Sequence, residues 1–84
     1  MHVEFLGIPR ERAGVSDLEI HANTLGELFR ELSRRYPAFG DLITPAGLHR
    51  SLAANLNGDA FVNDAGIVLR EHDHVLILSA DAGG

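Results

Sequence analysis

The chain has no cysteine. That excludes disulfides, thiolate metal sites, iron–sulfur clusters and a cysteine nucleophile. It also has no lysine: all seven basic residues are arginine. The plain reading is nucleotide-composition bias in the source genome. The functional reading is that an activated carboxyl terminus meets no side-chain amine of its own. Positive charge is scarce overall, and the formal net charge is -5. This argues against a phosphate-backbone ligand, since nucleic-acid binding needs a basic patch. It suits a basic partner surface or simple solubility. Met1-His2-Val3-Glu4 carries neither a basic region nor a long apolar stretch, which predicts no signal peptide, no membrane span and a cytoplasmic location. There is no P-loop, Ser51 and Ser79 have no nearby nucleophile elbow, and the carboxylates form no identifiable acid–base pair.

What is present fits one domain of 84 residues with ordinary globular composition, 45% hydrophobic and 23% charged. His2 to Leu6 is short and β-prone, with Val3 and Phe5 on one face. Gly7 to Gly14 holds a proline, two glycines and three charged residues and reads as a connecting turn. Val15 to His21 alternates, with Leu18 and Ile20 on one side, and predicts a second strand in hairpin with the first.

The clearest element is a helix. Thr24-Leu25-Gly26-Glu27 fits a capping box, with Thr24 accepting from a backbone N–H and Glu27 reaching back. Leu25, Leu28, Phe29, Leu32 and Tyr36 then form a continuous apolar stripe, and Pro37 ends it. In the mixed connection from Phe39 to Arg50, Leu42, Ile43 and Leu48 are expected to tuck onto the core. A third strand spans Leu52 to Asn57, and Asn57-Gly58 is a strong hairpin signal because both positions of that turn take positive φ. Ala60 to Val62 returns, Ile67 to Leu69 reads as a short strand or edge, and His74 to Leu78 is the last strand. The ββαββ order predicts an α+β fold, a β-grasp with one main helix across a mixed sheet of four or five strands. The expected division is a β-grasp domain over 1–78 and a flexible tail over 79–84.

The last strand is apolar on both faces: Val75 and Ile77 point one way, Leu76 and Leu78 with His74 the other. Two explanations stand open. Loop residues cover the second face of a central strand, or Leu76 and Leu78 belong to an exposed patch that takes a partner. His72 and His74 would share a strand face as half a metal site, but no third ligand has recognisable spacing, so no metal is expected.

The tail ends in Ala82-Gly83-Gly84. At average glycine usage, a random chain ends in two glycines roughly 0.5% of the time. Six residues from Ser79 span roughly 20 Å when extended, and Ala80, Ala82, Gly83 and Gly84, interrupted only by Asp81, are small enough to thread a narrow channel. The Gly84 carboxylate is ionised at neutral pH and a poor electrophile, so acyl chemistry there requires activation by another protein.

Opening strand, Arg10-Glu11-Arg12-Ala13-Gly14, capped helix, Ala54-Asn55-Leu56-Asn57-Gly58 and Gly83-Gly84 together make the chain resemble the MoaD/ThiS sulfur carriers, over essentially its whole length and more on the MoaD side. The resemblance implies a ubiquitin-like carrier without an active site of its own. Gly84 would be adenylated by a ubiquitin-activating-type adenylyltransferase using ATP and converted to a thiocarboxylate, with no cofactor bound by the carrier itself. The sulfur would pass to an acceptor such as the large subunit of molybdopterin synthase, with Leu76, Leu78 and Ala80 to Gly83 meeting the partners; nucleic acid and membrane are not expected. Many MoaD tails carry Pro-Pro where this chain has Ser79-Ala80. Thiamine, cysteine or another sulfur metabolite therefore stays open as the destination, as do protein modification and an inert-tailed interaction domain.

Overall fold

The computed structural model describes residues 1–81. The elements in chain order are β1 His2–Phe5, α1 Ile8–Ala13, β2 Asp17–Glu19, α2 Leu25–Arg35, α3 Pro37–Gly40, β3 Ile43–Thr44, β4 Gly47–Leu48, β5 Leu52–Leu56, β6 Ala60–Val62 and β7 His74–Ser79. Five strands form one mixed sheet in the order β2-β1-β7-β5-β6, and β3 pairs with β4 in a separate small hairpin. β1 runs parallel to β7, with Val3 beside Val75 and Phe5 beside Ile77. The other neighbours in the sheet are antiparallel. This is the expected β-grasp, with β7 at its centre.

The register puts Val3, Phe5, Ala54, Val75 and Ile77 on one face. Leu25, Leu28, Phe29 and Leu32 of α2 complete a single buried cluster with them. At about 1.5–3 kcal/mol for each large apolar side chain removed from water, that stripe matches the net stability of a whole small domain. Phe5 packs edge-on against Phe39 and Tyr36, with ring centroids 5.3 and 6.1 Å away. Leu48 is buried, and Leu42 and Ile43 pack against the cluster, as expected of the connection.

The start of α2 leaves no free donor in its first turn. Thr24 Oγ1 accepts from Glu27 N at 3.2 Å, and Leu28 N donates to Thr24 O. Leu25 N and Gly26 N donate to the carbonyls of Ile67 and Ala65. Glu27 reaches back one residue further than a standard capping box, its Oε2 accepting from Asn23 N at 2.7 Å.

Several expectations are corrected. Gly7 to Gly14 is not a plain turn, because it contains α1. Pro9 stands in the first turn of α1, where a missing N–H costs nothing, and Gly14 closes the helix with φ 78° while its N–H donates to Arg10 O. The two supposed breakers are the two ends of a helix. Pro37 ends α2 but opens α3 in the same way. Ile67 to Leu69 forms no strand of the sheet; Val68 makes one isolated bridge to Thr24, which ties this segment to the helix entry. β2 is shorter than the alternating run, although Ile20 is still buried and its N–H donates to Met1 O.

Candidate functional site

The chemistry expected of Gly84, and the contacts expected of Ala82 and Gly83, fall outside the described residues. The structure describes the base from which they leave. β7 continues past its expected end at Leu78: Ser79 pairs with Leu52, and Ala80 N donates to Ser51 O at 2.8 Å. On the opposite flank, Leu6 N donates to Ile77 O at 2.9 Å. Ile8 N faces Ser79 Oγ at 3.4 Å, and Gly7 comes so close that a Cβ there would lie 3.1 Å from that oxygen. The central strand is thus held from both sides up to Ser79 and from the β5 side to Ala80, and Asp81 is exposed. Ala80 is the last hydrogen-bonded residue among the described ones, and the four sequence positions after it reach roughly 13 Å at most.

The sheet face away from α2 divides into two halves. Its apolar half is built by Leu76 and Leu78 on β7, Ala53 opposite Leu78, and Phe61 opposite Asn55, which itself faces Leu76. Of the two explanations open for this face, each describes one residue. Leu78 is covered, at 6% exposure, and stands outside the main core cluster. Leu76 is half-buried. The largest exposed apolar side chain among the described residues is Phe61, at 60% exposure, a position that no sequence motif marks. The strand register settles its direction: with Val62 opposite the core residue Ala54, the intervening Phe61 points away from α2.

The polar half carries His2 and Glu4 on β1, His74 on β7, and Asp17 and Glu19 on β2. His2 Nδ1 lies 2.8 Å from Glu19 Oε1 and His2 Nε2 3.8 Å from Asp17. His74 Nε2 lies 3.3 Å from Glu4, and the two imidazole rings are 5.1 Å apart. The hydrogen bond from His2 holds the Glu19 carboxyl below its usual range, with help from the Met1 ammonium. His72 does not share a strand face with His74: it sits exposed in the turn before β7. Among the described residues, no three His, Cys, Asp or Glu side chains are grouped to hold a metal ion. No helix among them is long and apolar enough to cross a membrane.

Comparison with known proteins agrees with this architecture. The model of the ThiS family matches residues 3–84. No curated protein matches. Among solved structures, a putative molybdopterin converting factor subunit 1 from Pyrococcus furiosus superimposes with TM-score 0.77 at 21% identity, covering 93% of each chain. The small archaeal modifier protein 1 of Methanosarcina acetivorans gives 0.79 at 24%, covering 99% of this chain and 94% of that one. CysO of Mycobacterium tuberculosis gives 0.77 at 25%, covering 94% and 97%.

Proposed function

Since the chain belongs to the ThiS family, we propose that it is a sulfur carrier whose working group is the Gly84 carboxylate. A partner adenylyltransferase would join that carboxylate to the α-phosphorus of ATP, with release of pyrophosphate. A sulfur donor then displaces AMP from the acyl carbon and leaves a thiocarboxylate. The carrier contributes no catalytic group to these steps. Its part is to present the acyl carbon on a narrow tail and to dock against the partner through Leu76 and the exposed Phe61 across Asn55 from it.

The observation that supports this reading is the tail root. A central strand fixed on both flanks up to Ser79, and on one flank to Ala80, delivers the tail from a rigid base, beside an apolar surface that has no role in the core. Rigid presentation lowers the ordering cost when a short segment enters a buried site. Glycine at the end leaves the carbonyl unhindered to a catalyst.

The destination of the sulfur is the large subunit of molybdopterin synthase on the MoaD-like reading. One observation favours a second destination, such as thiamine or cysteine synthesis: the Ala80 N–H is engaged by Ser51 O, a bond that a proline at this position cannot make. The root is therefore built differently from a Pro-Pro tail.

Incubation with the cognate activating enzyme, ATP and a sulfur donor tests the carrier reading. Intact mass should show one oxygen replaced by sulfur, and deletion of Gly84 should abolish that product without moving the unfolding midpoint. Failure to form it with any activating enzyme of the host would sink the proposal.

A further inference from the structure

Resting on the reading that Gly84 carries an activated acyl group, we propose that the arginines around the tail root withhold a nucleophile, so that the domain cannot acylate itself and any amine acceptor lies on another molecule. Arg10 stands two residues after Ile8, whose N–H faces Ser79 Oγ. Arg50 immediately precedes Ser51, whose carbonyl holds Ala80. Both arginines are exposed, and each stands within two residues of a backbone group that contacts Ser79 or Ala80.

A lysine at either place would put a primary amine near the tail root, on the same molecule as the acyl group, at an effective concentration on the order of millimolar. Its nitrogen would attack the carbonyl carbon, form an amide, expel the leaving group with its electron pair and lose a proton to solvent. Arginine gives the same positive charge, but its guanidinium stays protonated and delocalised and does not perform this attack.

The chain's one primary amine is the α-amino group of Met1, and the fold keeps it away. It donates to Ile20 O at 3.1 Å and faces Glu19 at 3.6 Å. It is also at the far end of the sheet. His2 pairs with His74, six residues before Ala80 and so roughly 20 Å from it along the central strand. The four residues beyond Ala80 span roughly 13 Å and fall short. The absence of lysine and the position of Met1 are independent features, and both spare the acyl group from the domain that carries it.

The test uses the full chain prepared chemically as the Gly84 thioester of 2-mercaptoethanesulfonate, held at mildly alkaline pH and followed by intact mass and denaturing gel. The wild-type chain should hydrolyse to the free acid and stay monomeric. Arg50→Lys and Arg10→Lys should give a product one water lighter than the free acid, the internal amide. At tens of micromolar protein it should form about tenfold or more faster than any wild-type adduct. Arg70→Lys, in the turn at the far end of β7, should behave as wild type. The proposal is overturned if the wild-type chain cyclises or multimerises through Met1, if neither lysine near the root reacts, or if Arg70→Lys reacts as fast as Arg50→Lys. Because the thioester is made without an activating enzyme, this result is separate from the fate of the carrier proposal.

Discussion

Asn57 and Asp73 join two turns at the same end of the sheet: Asn57 Nδ2 donates to Asp73 Oδ1 at 2.9 Å. The link is part of a closed set. Asn57 Oδ1 accepts from His74 N at 2.7 Å, and Asn57 N donates to His74 O at 2.8 Å. Asp73 Oδ2 accepts from Arg70 N at 2.7 Å. One side chain therefore locks the β5–β6 hairpin to the turn that launches β7. Asn57 also holds φ 57°, which asparagine tolerates better than most residues.

Replacing Asn57 separates these roles. Asn57→Gly keeps the backbone conformation and loses the side-chain bonds, with an expected loss of about 1 kcal/mol. Asn57→Ala loses both, so it should cost about 1 kcal/mol more. Urea unfolding of the two variants against wild type checks the order; equal losses would mean that the positive φ costs alanine nothing and that the side-chain bonds carry the whole effect.

Asp73 gives the same clamp a pH signature. The hydrogen bond from Asn57, then that from Arg70 N, holds its carboxyl below the usual range. A depressed folded pKa means that the stabilisation is fully present above the unfolded carboxyl pKa and is lost as pH falls through the folded value. The acid limb of the stability curve should therefore be shallower in Asp73→Asn than in wild type. Thermal unfolding from neutral pH down to strongly acid pH reads this directly.

Much of the fold is legible in the sequence, and each exception has its own physical cause. The cap at Thr24, the stripe from Leu25 to Leu32 and the turn at Asn57-Gly58 are local signals: each depends on residues within one turn of each other. Gly7 to Gly14 misleads because proline and glycine mark helix ends as well as loops, and a six-residue helix has too few positions to show a period. The cover over Leu78 and the brace on Ser79 are not local. Ile8 and Ser79 are separated by 71 positions, and no pattern within either segment announces the other. Phe61 is hidden for a different reason: Ala60, Phe61 and Val62 are all apolar, so composition alone does not say which of them faces solvent.

Gly47 marks a close approach in the small hairpin. Its φ is 118°, and a Cβ there would lie 2.5 Å from Asn63 Oδ1, the atom that accepts from Leu48 N at 3.0 Å. Gly58 also has positive φ but open space around the missing Cβ. Gly58→Ala should thus cost about 1–2 kcal/mol from the backbone alone. Gly47→Ala should cost more, because it also displaces Asn63 from a bonded position. Equal midpoints for the two in denaturant titration would remove the steric half of this account.

The two halves of the apolar face should respond oppositely to truncation. Leu78 is covered, so Leu78→Ala leaves a space in a packed region and should lower stability by about 2–4 kcal/mol. Phe61 is mostly in water and lies outside the core cluster, so Phe61→Thr, which keeps β propensity, should stay within about 0.5 kcal/mol of wild type. If the open face docks the activating partner, Phe61→Thr should weaken that complex by about tenfold, the effect of an exposed aromatic anchor worth about 1.4 kcal/mol. Calorimetric titration of the folded variant measures it without interference from stability. Unchanged affinity in Phe61→Thr would move the docking surface off β6, leaving Leu76 and the tail root to carry it.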